Sequence, residues 1–172
     1  IWFEFARKIA LHDSHIAPVR VGFKYIFLMA HTTPENGWAA FKAAKIAAFH
    51  DLRVWWWLIQ GGVLAASVYL VRNLEDYETV AYGYVLAFFL TAPTFYYQVM
   101  VTVALFLFLP KCDQWPRLIG TVLMLAISIA LFVLERYTKL DVRLSFIMSC
   151  MLMGLALYMM GLALFARRPA ER

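Results

Sequence analysis

The sequence predicts an all-α integral membrane protein in which about four transmembrane helices are preceded by amphipathic interfacial helices. Three observations carry that prediction. Hydrophobic residues make up 63% of the chain and charged residues only 16%, with a mean hydropathy of +0.68, whereas soluble domains are nearer half apolar and a quarter charged. Four apolar runs lie near or beyond the roughly 20 residues that cross about 30 Å of hydrocarbon. Lys, Arg, Trp and Tyr gather at the ends of those runs, as they do at membrane–water interfaces. A water-soluble fold of 172 residues would keep about a third of its unfolded surface exposed. Here most of that surface would have to be apolar.

The runs divide the chain into an arm, residues 1–53, and a transmembrane domain, residues 54–172. The first run, Val54 to Val71, lies between Arg53 and Arg72 and opens on Trp55, Trp56 and Trp57. The second, Val80 to Leu109, contains Pro93 within Thr91-Ala92-Pro93-Thr94-Phe95-Tyr96-Tyr97-Gln98. Two crossings need roughly 40 residues plus a turn, so one tilted helix kinked at Pro93 is expected in preference to a re-entrant break. The third, Leu118 to Leu134, follows the polar turn Pro110 to Arg117, and the fourth, Leu144 to Phe165, ends at Arg167-Arg168. None of the four contains a charge, which argues against a pump or a self-contained transporter.

In the arm, Thr33-Pro34-Glu35 reads as a helix start, with Thr as N-cap and Pro in the first turn. The following stretch places Trp38, Phe41, Ala48, Phe49 and Leu52 at three- and four-residue steps, a pattern that lays one apolar face on a membrane surface or partner. Ile1 to Leu11 reads as another amphipathic helix. Val19 to Ala30 is apolar but too short and too charged to span. The opening residues lack signal-peptide order and begin on Ile1, so the expectation is a processed start or a sequence that begins mid-chain.

The net charge of +5 and pI near 9.3 come from residues beside the apolar runs, which fits membrane orientation and excludes nucleic acid as a partner. With one crossing per run, the Lys and Arg tally (Lys42, Lys45, Arg53, Lys111, Arg117, Arg167, Arg168 and Arg172 against Arg72, Arg136, Lys139 and Arg143) puts both termini on the positive-inside face.

Candidate chemistry is sparse. Thr91, Pro93, Thr94, Tyr97 and Gln98 are the polar points that could line a lipid or quinone cavity. Gly61, Gly62, Ala65 and Ala66 on the first run, and Gly154 and Gly161 on the fourth, form small-residue stripes that let helices approach closely. His12 and His15, three apart with Asp13 between them, are the nearest approach to a metal pair, but no third ligand stands near, so no metal and no cofactor is expected. Cys112 and Cys150 form no CxxC pair, and no nucleotide-binding, acyl-transfer or zinc-hydrolase motif is present. These features lead to a non-catalytic subunit packed within a larger inner-membrane complex of the respiratory or ATP-synthase kind, in a bacterial plasma membrane or mitochondrial inner membrane. Its expected partners are membrane lipids, some of them bound, and other membrane subunits. The alternatives are the membrane domain of a lipid-linked glycosyltransferase and an oligomeric channel or carrier.

Overall fold

A computed structural model of the chain describes residues 4, 20–29, 38–91, 101–137 and 142–165. Among these the protein is helical, with no strand. In chain order the elements are α1 (Phe23–Met29), α2 (Trp38–Asp51), α3 (Arg53–Leu70), a 3-10 turn (Val71–Asn73), α4 (Asp76–Leu90), α5 (Val101–Lys111, α-helical at Leu105–Phe108 and 3-10 on either side), α6 (Trp115–Tyr137) and α7 (Val142–Phe165). Two of them, α6 and α7, are long and apolar enough to span a membrane. The expected helix start at Thr33 and the amphipathic segment Ile1 to Leu11 lie outside the described residues, apart from Glu4.

α7 is the central helix and packs against α6, α4, α1 and α3. Its inward positions, Leu144, Met148, Leu152, Leu155, Ala156, Met159 and Ala163, recur at three- and four-residue steps and belong to one continuous core. α6 follows the same rule: Arg117, Gly120, Thr121, Met124, Ile127 and Leu131 face inward, while Ile119, Val122, Ile129 and Phe132 face outward. A stripe of 3.6-residue period with apolar side chains on both faces is what a helix between protein and lipid requires.

The run Val80 to Leu109 is not one kinked helix. α4 ends at Leu90, where Thr91 turns to extended backbone, and α5 returns the chain to the end from which α4 set out. Lys111, at the end of α5, lies 2.9 Å from Glu75 and 2.8 Å from Glu78 at the start of α4, and Arg117 lies 2.7 Å from Glu78. The 15 residues of α4 extend about 22 Å, and α5 is shorter, at 11 residues. Consequently Lys111 and Arg117 share an end of the bundle with Arg72, not with Arg53 as the charge tally assumed.

α4 stops partway along α3. The Gln60 side-chain amide donates to the Leu90 carbonyl at 3.4 Å, and Gln60 is seven residues, about 10 Å, from the start of α3. α1 fills the volume α4 leaves open. Phe23 packs on Phe89 with ring centroids 5.2 Å apart and on Trp56 at 5.8 Å, and Val21, Tyr25 and Leu28 are buried. This part of the arm is therefore inside the bundle and not on a surface. The bond from the Gly22 N–H to Ser149 Oγ, 3.1 Å, ties its first turn to α7; Gly22 has a φ of 123°, a conformation that favours glycine.

Among the described side chains of α2 the buried one is Lys45, which stands in line with Phe49 and Leu52 on the expected apolar face, whereas Ile46 off that face is 54% exposed. The small-residue stripes also differ from expectation. A Cβ added at Gly61, Gly62, Gly154 or Gly161 would meet nothing, but one at Gly120 would run into the Phe108 ring. The close approach of helices is between α5 and α6. Gly120→Ala is expected to destabilise the protein by about 1–3 kcal/mol through overpacking. Gly61→Ala is expected to be neutral or stabilising by about 0.5–1 kcal/mol, because alanine loses less backbone entropy in a helix. Unfolding in detergent micelles checks both.

Candidate functional site

The polar centre of the molecule is an ion cluster at the end shared by α4, α5 and α6. Its framework is local. Glu75 is the N-cap of α4, and its N–H donates to Glu78 Oε2 at 3.0 Å, one half of a capping box. That bond fixes the Glu78 side chain over the first turn, where the helix dipole favours an acid. Glu78 Oε1 then accepts from Lys111 Nζ at 2.8 Å and from Arg117 Nη2 at 2.7 Å. Lys111 also donates to Glu75 Oε1 at 2.9 Å and sits 5.6 Å from the Tyr77 ring centroid. Arg117 Nη1 donates to the Leu107 carbonyl, part of the orphaned C-terminal turn of α5.

Burial decides what such a cluster can do. The Glu78 side chain is 0% exposed and that of Arg117 5%, so each charge depends on its partner. Burial works against the charged form of Lys111, but the hydrogen bonds to Glu78, Glu75 and Tyr77 outweigh it and hold the ammonium above its ordinary value. Two carboxylates and two cations balance. All three elements are locked at one point, and Tyr158 of α7 adds a fourth by donating to the Pro116 carbonyl at 2.6 Å. With its two oxygens already accepting three hydrogen bonds, Glu78 has little capacity left for a substrate. The arrangement is a clasp.

These four residues were missed in the sequence because each stands one to a few positions outside an apolar run, where a charge reads as an interface marker. The available signal was Glu75-x-x-Glu78 ahead of an apolar run, the spacing of a capping box.

Of the sequence-predicted cavity residues, Thr91 alone is described: its Oγ1 donates to the Ala87 carbonyl at 2.7 Å, closing the last turn of α4. Pro93, Thr94, Tyr97 and Gln98 lie outside the described residues, as do His12 and His15. No group of three metal-ligating side chains occurs among the described residues. Cys112 is exposed and Cys150 half-buried, both free. The small residues are not brought together as a set: Ala66 and Gly161 face each other across an apolar groove of about 280 Å³ between α3 and α7, whereas Gly61, Gly62, Ala65 and Gly154 are exposed.

A second polar feature joins the arm to the bundle. Lys45 of α2 is 1% exposed and its ammonium lies 5.2 Å from the Tyr25 ring centroid, while Lys24 lies 5.0 Å from that of Phe49. Burial pushes Lys45 down to about 8 from 10.5.

Glu78→Gln is expected to cost about 3–5 kcal/mol, because it leaves the buried Arg117 and the half-buried Lys111 with one carboxylate between them. Adding Arg117→Met to Glu78→Gln should recover part of the loss, which a double-mutant cycle measures. For Lys45 the folded value lies below the unfolded one, so the unfolded chain binds more protons between pH 8 and 10.5, and stability should rise with pH across that window. Lys45→Met should abolish the rise in thermal-unfolding midpoint.

The chain matches no protein-family model, no curated protein and no solved structure.

Proposed function

We propose that this chain is a multi-pass membrane protein that serves as a non-catalytic helical subunit, packed against partner membrane proteins in a larger inner-membrane assembly. The observation that carries this reading is the outward face of α3. Of its 18 residues only Trp56, Ser67 and Leu70 are buried. Outward stand Trp55, Trp57, Leu58, Leu64 and Val68, interrupted by the notch of Gly61, Gly62 and Ala65, at whose glycines a Cβ meets nothing. The outer face of α6 is filled with branched aliphatic side chains, as suits lipid. That of α3 has a backbone laid bare between tryptophans, which suits a second helix. α3 is taken as a further crossing: its tryptophans lower its hydropathy yet are the residues that favour a membrane interface. The clasp agrees, because its groups serve one another and not a substrate. The apolar groove between α3 and α7 suits an acyl chain, the bound lipid that the composition leads one to expect.

One observation favours a different reading, a carrier. Helical structure stops at Leu90 beside Gln60, partway along the bundle, and non-helical backbone at membrane depth is tolerated only where protein buries it or a cavity borders it. A carrier would use that break.

Purification from native membranes in mild detergent separates the two. The subunit reading expects a complex larger than the 19.8 kDa chain, and expects Gly61→Leu with Gly62→Leu to release the chain from it while leaving the isolated chain's unfolding within about 1 kcal/mol. A monomer that supports solute flux in proteoliposomes, with flux lost in Gln60→Leu, would overturn it in favour of the carrier.

A further inference from the structure

We infer that α4 and α5 are the two arms of a re-entrant hairpin that enters and leaves the membrane on one side, so that the start of α3 and the end of α7 lie on opposite sides. The inference rests on the membrane reading above and concerns how the chain is threaded.

Five contacts fix the end at which the hairpin opens. Lys111 bridges Glu75 and Glu78, Arg117 holds Glu78, Arg117 also holds the Leu107 carbonyl, and Tyr158 holds the Pro116 carbonyl. Charged partners 2.7 to 2.9 Å apart cannot stand on opposite faces of a bilayer whose hydrocarbon alone is about 30 Å thick. The turn after α3 and the turn before α6 therefore share one side. A single tilted crossing by residues 80–109 is incompatible with these contacts.

Other contacts fix the depth. α3, at 18 residues, is about 27 Å long, and Leu90 meets it at Gln60, leaving about 10 Å of α3 beyond the tip of α4. At that tip the last carbonyls of α4 would be orphaned in hydrocarbon. The structure provides a partner from within for the last of them: Gln60 donates to the Leu90 carbonyl, while the Thr91 N–H and Oγ1 both close on the Ala87 carbonyl. Phe23, Phe89 and Trp56 then seal the space above. An arm that crossed fully would end in headgroups and water, where neither a side-chain amide nor an aromatic seal is needed.

Following the helices from there gives the threading. α3 runs toward the clasp, α4 and α5 go in and come back, α6 leaves the clasp, and α7 returns to it, with Tyr158 at the level of Pro116 and Leu164 beside Tyr69. That is three full crossings and one re-entrant hairpin.

Cysteine labelling tests this in the full chain with a membrane-impermeant maleimide, applied to right-side-out and to inverted vesicles. The background is Cys150→Ala. Cys112 is read directly, and Arg72→Cys, Phe165→Cys, Asp51→Cys, Arg136→Cys and Thr91→Cys are each read with Cys112→Ala. The expected result is labelling of Cys112, Arg72→Cys and Phe165→Cys from one side only, and of Asp51→Cys and Arg136→Cys from the other only. Thr91→Cys should react from neither side until detergent is added. Labelling of Cys112 from the side of Asp51→Cys would restore the single crossing and overturn the inference, as would labelling of Thr91→Cys from that side, which requires a complete crossing. Failure of the membrane reading itself looks different: alkaline carbonate would strip the protein from the vesicles, and every position would label in both preparations.

Discussion

The rest of the molecule depends on the carboxylate of Glu78. It is fully buried, and it accepts from an arginine on one helix, a lysine at the end of another and the backbone N–H that caps its own. Removing two or three charges from water costs several kcal/mol for each ion, and the mutual attraction returns that cost only when geometry is good and the remaining donors are satisfied. Both conditions hold. The energetic result is less net stabilisation than specificity. Any arrangement that separates α4 from α5 or α6 leaves an uncompensated charge in an apolar interior, so alternatives are penalised more than the native packing is rewarded.

From that constraint the remaining architecture follows. Because Lys111 must reach Glu75 and Glu78, the chain must double back between α4 and α5, and α4 itself stops at the level of Gln60, short of the start of α3. The shortfall leaves a vacancy beside Trp56. α1 occupies it, bringing a Phe and two large buried side chains, Tyr25 and Leu28, into the space. A short helix of seven residues has little stability of its own. It is held by burial and by the Gly22 to Ser149 bond, which is why a segment too short to span still belongs to the core.

Much of the helical content was legible in the sequence, since α3, α6 and α7 coincide closely with three of the apolar runs, and the 3.6-residue stripe of α6 can be read from its order of residues. The hairpin was not legible, for a physical reason. Hydropathy reports how much apolar chain is present and not which way it runs, and a 30-residue run satisfies one tilted crossing as well as two partial arms. The clasp was hidden by the same limit. Arg117 and Glu78 stand 39 positions apart, and at the edge of an apolar run a charge that snorkels to water and one that turns inward to a partner have the same spelling. Lys45 is a further case: it interrupts the apolar positions of α2 as a charge, but Tyr25 offers it an aromatic face, an attraction that desolvation strengthens.

The division of polar groups between the two halves bears on which activity the fold can host. At the clasp the charges are strong and paired, with Glu78 and Arg117 buried, and exchanging either of these for a ligand would leave its partner uncompensated. At the tip of α4 the polar groups are neutral: an amide, a hydroxyl and two carbonyls, at 3.4 and 2.7 Å. Neutral hydrogen bonds there contribute only about 0.5–1.5 kcal/mol each and can be exchanged at low cost. Movement is therefore cheap at the tip and costly at the clasp. A subunit needs the clasp to keep α3 and α7 presented in a fixed relation to a neighbour. A carrier would additionally need the tip to open. The rigid half is built by four charged residues and a capping motif, whereas the half that could move is bounded by aromatic rings, and that asymmetry is the physical ground for ranking a packing role above a transport role.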